Sequence, residues 1–235
     1  MTEIPTAEEL DFLFREGKME RLGDGSRRVC YALPGGKLCV KSYRSEEEFK
    51  TRMGPDGSLE KCRLKPSVVR EIRKARFDQK RNTSCQEYRY WKKLRDSLPA
   101  DVFAVFPQTM ECLSVPTRGW CIVEERVTNA TGASPSRFSH EYRAADEEMK
   151  SSLRSALKEL LSRFIFHAVR FYDPQNIIVQ RLEGGDFRLR VVDFEPVTRC
   201  LLPLDRLLPS LVRLKTARRA NRWLRERGIE IGGLT

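Results

Sequence analysis

Asp173-Pro174-Gln175-Asn176-Ile177-Ile178-Val179, followed a turn later by Val191-Val192-Asp193-Phe194-Glu195, is the stretch whose reading decides the fold. Ile177 to Val179 is a short apolar run, Glu183-Gly184-Gly185-Asp186 is rich in turn residues, and a second apolar run ends at Asp193-Phe194. The pattern predicts a β-hairpin with Asn176 at the base of one strand and Asp193 at the base of the other. One amide and one carboxylate suit a hard divalent cation that takes most of its oxygen ligands from phosphates and water. An ordinary hairpin with an Asp at a strand end has the same pattern, so the rest of the chain must decide.

Upstream, Gly23-Asp24-Gly25-Ser26-Arg27-Arg28-Val29 is a glycine-bearing turn leading into Val29-Cys30-Tyr31-Ala32-Leu33. After Pro34-Gly35-Gly36 comes Lys37-Leu38-Cys39-Val40-Lys41-Ser42-Tyr43, so the reading is strand, tight turn, strand. Lys41 falls among apolar neighbours, where an ammonium group requires an anionic partner. Ser84 to Leu94 reads as a helix, and Ser84 with Glu87 has the form of a capping box. Glu87 is therefore either a cap residue or the partner of Lys41.

Strand lysine, helix glutamate, loop asparagine and hairpin aspartate occur in the order of the protein-kinase fold. With Pro174-Gln175-Asn176-Ile177-Ile178 and its flanks, the chain resembles the YrbL family of bacterial kinase-like proteins from roughly Leu22 to Pro203. The resemblance implies an α+β, bilobal protein-kinase-like fold, with a small antiparallel β lobe and a larger, mainly helical lobe. It implies ATP and Mg²⁺ as cofactors. Gly23 and Gly25 would cover the phosphates, Lys41 would contact them, and Glu87 would position Lys41. Backbone near Glu124 to Val127, including Glu125, would meet the adenine, while Asn176 and Asp193 would hold the metal. One departure stands out. Five residues before Asn176, where such enzymes carry the catalytic Asp, the chain has Phe171, with Val169-Arg170 in place of His-Arg. The nearest carboxylate is Asp173, either a displaced catalytic base or a residue that holds its own turn before Pro174.

A content of 33% charged and 40% hydrophobic residues in 235 is that of a globular chain with a substantial core. No run of 18 apolar residues occurs, so no transmembrane helix is expected. The acidic start, Met1 to Leu10, lacks the pattern of a signal peptide. Seven scattered cysteines without a C-x-x-C pair, and two histidines, His140 and His167, argue against a structural zinc site. Cys30, Cys39, Cys121 and Cys200 sit in apolar contexts and read as buried thiols, which points to a cytoplasmic location.

The expected domains are residues 1–127, a small lobe with a basic insertion at 46–83, and 128–235, a helical lobe with the hairpin and a basic C-terminal helix. Thr6 to Lys18 opens with a capping pattern and predicts an amphipathic helix. Pro66 to Arg81 predicts a helix with Val69, Ile72 and Phe77 on one side. Val102 to Phe106 and Trp120 to Glu125 read as strands. Glu147 to His167 predicts a long helix with Met149, Leu153, Leu157, Leu160, Leu161 and Phe164 on one face. In the C-terminal segment, Leu207, Leu211, Leu214 and Trp223 mark a docked face and arginines an exposed one. The net charge of +11 favours anionic partners. No nucleic-acid module accompanies it and no aromatic residues interleave with it, so nucleic acid is not expected as the main ligand. Two functions follow: a phosphotransferase acting on an anionic or hydroxyl-bearing acceptor, or a catalytically impaired pseudokinase serving as a nucleotide-gated binding or regulatory module.

Overall fold

A computed structural model describes residues 3–54, 57–169, 174–193, 209–231 and 234. The chain is mixed α+β and divides into two compact units, Met1–Trp91 with Gln108–Arg126, and Lys92–Pro107 with Val127–Thr235. Residues 92–107, assigned on sequence to the N-terminal part, group with the second unit.

The first unit is built on a five-stranded antiparallel sheet. Its strands are β1 (Glu20–Asp24), β2 (Arg28–Ala32), β3 (Leu38–Tyr43), β6 (Met110–Val115) and β7 (Gly119–Glu125), in the order β1-β2-β3-β7-β6. Strand alternation gives the sheet two chemically different faces. Leu38, Val40, Cys121 and Val123 point one way and pack with Leu10, and with the partly buried Leu13 and Phe14, of α1 (Ala7–Glu16). That helix begins as its sequence predicts. Glu9 N–H donates to Thr6 Oγ1 at 3.2 Å, and Thr6 N–H donates to Glu9 Oε2 at 2.7 Å.

The opposite face carries Arg28, Lys41 and Glu124. Register places Lys41 between Cys30 and Ile122, and Cys39 opposite Glu124. The part of α3 (Thr83–Ser97) up to Trp91 covers this face. The capping box expected at Ser84 does not form. Asn82 Oδ1 accepts from Ser84 N–H at 2.9 Å and Cys85 N–H at 3.4 Å, so the asparagine caps the helix.

Residues 46–83 are an integral part of this unit. They form a hairpin, β4 (Thr51–Met53) with β5 (Leu59–Lys61), and α2 (Pro66–Ala75). Phe49, Ile72 and Ala75 bury against Tyr43 of β3, whereas Phe77, expected on the packed side, is exposed beyond the helix end. Arg44 donates to the carbonyls of Gly25, Glu48 and Thr51, stitching the segment to the β1–β2 turn. At the other end Trp120 N–H donates to the Arg76 carbonyl at 3.0 Å. Gly119 has a φ of +73°, and a Cβ there would lie 2.3 Å from the Arg76 oxygen, so only glycine fits.

The second unit contains α4 (Ala100–Phe103), β8 (Ser136–Arg137), α5 (Phe138–Ala144), α6 (Glu147–Phe166), β9 (Ile177–Arg181), β10 (Phe187–Val191) and α7 (Pro209–Glu226). Helix α6 is capped by Asp146 and buries Leu153, Leu157, Leu160, Leu161, Phe164 and Ile165, close to the expected stripe. Each such side chain contributes about 1.5–3 kcal/mol by leaving water. Val102 to Phe106 is not a strand. The run V-F-A-V-F fits a buried strand or a buried helical turn equally by pattern, and tertiary contacts select the latter. Phe106 stacks on Phe164 at 5.6 Å, and the carbonyls of Val105 and Phe106 accept from the buried Arg190 guanidinium. Helix α7 buries Val212, Thr216, Ala217, Ala220, Trp223 and Leu224. Leu214, expected on that face, is exposed, and Leu207 lies outside the described residues. Among the described residues, no helix is long and apolar enough to cross a membrane.

Candidate functional site

The sheet face under α3 holds a buried charge network. Lys41 Nζ lies 2.6 Å from Glu124 Oε1 and 3.9 Å from Glu87 Oε1, and Arg28 Nη1 donates to Glu87 Oε2 at 2.6 Å. Glu87 is fully buried, and Lys41, Arg28 and Glu124 are each less than a tenth exposed. Two cations thus meet two carboxylates in a low-dielectric space, an arrangement that persists because each charge has an opposite one in contact. The carboxylate nearest Lys41 comes from β7, not from the helix, and the cation nearest Glu87 is the guanidinium of Arg28, not Lys41.

Sequence reasoning did not single out Arg28 or Glu124 as members of this network. A signal existed for both. Arg28 begins an otherwise apolar strand, and Glu124 follows the apolar run Cys121-Ile122-Val123. Strand pairing alone brings these positions onto the face of Lys41, and pairing across β3 and β7 spans some 80 residues of sequence.

The glycine turn joins β1 to β2. Gly23 sits at a register shift within β1, and Gly25 N–H donates to the Arg28 carbonyl at 2.8 Å. Between them Asp24 accepts from Arg21 and Met53 N–H and lies 3.3 Å from Arg44. Burial pushes the Asp24 carboxyl up, but the hydrogen bonds from Arg21 and Met53 and the charges of Arg21 and Arg44 outweigh it and hold it below its ordinary range. The turn is therefore anchored from the segment at 46–83. Glu125, at the end of β7, accepts from Gln108 N–H at 2.6 Å.

Thiols line the same sheet face. Cys39 Sγ lies 3.9 Å from Glu124 Oε1. Its hydrogen bond with Cys30, then burial, push its pKa well up, so it is a neutral thiol. Cys85 on α3 and Cys112 on β6 have sulfurs 3.2 Å apart. Cys121 belongs to the opposite face, packed with Leu10, and burial raises its thiol to about 12. Cys30 is half-buried rather than buried, and Cys200 lies outside the described residues.

In the second unit the predicted hairpin is present. Strands β9 and β10 pair antiparallel from Ile177↔Val191 to Arg181↔Phe187, with the turn at Glu183–Gly185, and β8 adds a third strand beside β9 that the sequence pattern did not reveal. Asn176 and Asp193 meet at the base, where Asn176 Nδ2 donates to the Asp193 carbonyl at 2.6 Å. With the amide nitrogen committed inward, Oδ1 is the atom Asn176 has for a cation. Asp193 is exposed and adopts a left-handed φ of 52°, a conformation that Asp and Asn tolerate better than most residues. The pair is a chemically suitable donor set for a hard cation. Asp173 and Phe171, on which the catalytic reading depends, lie outside the described residues, as do Phe194 and Glu195.

No family model matches the sequence, and no curated protein matches it. A solved structure titled "PpkA-294 apo form" is similar in shape, with 13% identity and a TM-score of 0.41, over 90% of this chain. The chain spans 63% of that structure's length. Function has to be read from the residues of the two units.

Proposed function

We propose that the chain is a kinase-like protein that binds ATP with Mg²⁺, in keeping with its sequence resemblance to the YrbL family. Lys41 carries this reading: an ammonium group buried in a central strand, flanked by a helix glutamate and accompanied downstream by the Asn176–Asp193 pair. In this reading Lys41 exchanges its contact with Glu124 for the α/β-phosphates while Glu87, fixed by Arg28, keeps it in place. The Gly23–Gly25 turn closes over the phosphates and backbone near Glu125 receives the adenine. Asn176 Oδ1 and the Asp193 carboxylate would hold Mg²⁺, which supplies charge neutralisation on the phosphates when bound. For phosphoryl transfer, Asp173 accepts the proton of an acceptor hydroxyl.

A second reading is favoured by one specific observation, the phenylalanine at position 171. A side chain without a proton acceptor there suits a nucleotide-gated binding module with intact cation donors and no turnover.

Calorimetric titration of Mg²⁺-ATP tests the shared premise. Asp193→Asn keeps a residue suited to the left-handed backbone and removes the charge, so Mg²⁺-dependent affinity should fall by roughly tenfold or more with thermal stability unchanged. Lys41→Met should weaken binding as well. Absence of binding to any purine triphosphate by the unaltered protein would refute the assignment.

A further inference from the structure

A recess lies entirely within the second unit, with a volume of about 590 Å³, in the range of small-molecule pockets. Its lining joins Arg137 at the end of β8, His140 and Arg143 of α5, Arg227 just beyond α7, and Gln175. Three guanidinium groups face it against a single carboxylate, Glu226. Glu226 lies 3.8 Å from Arg227, whose guanidinium also stacks over the Trp223 ring at 4.9 Å. Among the described residues, no carboxylate pairs with Arg137 or Arg143, and both side chains are exposed. Arg143 is instead braced along its own helix, Nε donating to the Ser139 carbonyl at 3.0 Å. Unbalanced guanidiniums around a concavity make a receptor for a doubly charged, multi-oxygen anion, because each planar fork can give two parallel hydrogen bonds to phosphate.

The recess is tied by chain and register to the cation donors. Gln175 immediately precedes Asn176, and Arg137 pairs across the sheet with Ile178, two residues after it. We infer that this recess binds a phosphate-bearing small molecule through Arg137, Arg143 and Arg227, and that this molecule is the acceptor whose hydroxyl is presented beside Asn176. The assignment of acceptor rests on the nucleotide reading above; the anion site itself does not. A concave pocket of this size favours a compact phosphorylated metabolite over a nucleic-acid backbone, which needs an extended basic track.

Binding is measured first without nucleotide, using inorganic phosphate, glucose 6-phosphate and glucose as probes, by calorimetry and by chemical-shift changes of the His140 ring. Both phosphate-bearing probes are expected to bind and glucose is not. The double variant Arg137→Gln/Arg143→Gln should lower affinity by roughly tenfold or more, while Arg70→Gln, an exposed arginine of α2 in the other unit, changes nothing. Thermal melts of both variants exclude unfolding as the cause. Failure of both anions to bind, or binding that the double variant leaves intact, overturns the site. Mg²⁺-ATP titration of the same double variant separates the two ideas. Retained nucleotide affinity with lost anion affinity is expected, and equal loss of both would mean that the arginines serve the nucleotide instead of an acceptor. Anion binding in a chain that binds no nucleotide would keep the site and remove its role as acceptor pocket.

Discussion

Replacing Glu87 by Gln removes one negative charge from a network that holds two cations and two carboxylates. At an effective dielectric constant of about 20, unit charges 2.6 Å apart attract by about 6 kcal/mol, and charges 3.9 Å apart by about 4 kcal/mol. Much of that gross attraction offsets the cost of burying the ions. The net loss on removing one partner of a buried pair is therefore smaller, about 3–5 kcal/mol, and is dominated by the guanidinium left uncompensated. With a urea dependence of about 1–3 kcal/mol per molar, the unfolding midpoint should drop by roughly 1–5 M. The assay is urea titration followed by the fluorescence of Trp91 and Trp120, both in the first unit, in a Trp223→Phe background that silences the second. The double variant Arg28→Met/Glu87→Gln leaves Lys41 facing Glu124 as a neutral pair, so it should recover at least half of the loss. A Glu87→Gln shift smaller than about 0.5 kcal/mol, or a double variant no more stable than the single, would show that the network is hydrated and contributes little.

Gly119→Ala should destabilise the first unit by more than about 2 kcal/mol, because it combines a left-handed φ with a contact on the Arg76 carbonyl that neither backbone can relieve; a change within error in the same urea assay would contradict that geometry. Acid should weaken the same unit in a defined window. The folded-state pKa values of Asp24 and Glu48 lie below their ordinary values of 3.8 and 4.5, so the stability they add is complete above about pH 4.5 and is lost as pH falls through the lower folded values. For Glu48, burial acts in the opposite sense and is outweighed by Arg118, Tyr31 and Ser45. Urea midpoints measured from pH 7 to pH 3 should fall below about pH 4.5, and Glu48→Gln should flatten part of that fall; a flat wild-type profile would contradict the sign. If Asp173 is the base of a phosphotransferase, Asp173→Asn should slow turnover by roughly 10²–10⁴-fold and spare nucleotide affinity. Phe171→Asp asks the converse, since transfer activity gained by this variant would show that only the base is missing. Robust wild-type turnover unaffected by Asp173→Asn would exclude Asp173 as the base.

The local elements were legible in the sequence because their causes are local. Thr6 and Glu9 cap α1 within one turn, the stripe from Leu153 to Phe164 has helical period, and the Glu183–Gly185 turn sets the register that brings Asn176 and Asp193 to one end of a hairpin. What pattern could not decide was anything that depends on partners distant in sequence. Val102 to Phe106 is apolar enough for a strand, but Arg190 and Phe164 supply contacts that suit a helical turn and an irregular segment. Residues 46–83 look like a polar insertion until Phe49 and Ile72 meet Tyr43, and Asn82 takes the capping role that the sequence pattern gives to Ser84. Lys41 announced by its setting that it needs a carboxylate; only strand pairing chose Glu124 as the nearest and gave Glu87 to Arg28. A sequence fixes the demand of a buried charge, because desolvation acts on each residue alone. The tertiary structure fixes which opposite charge meets it, because that choice depends on register and on the face each strand turns toward the helix.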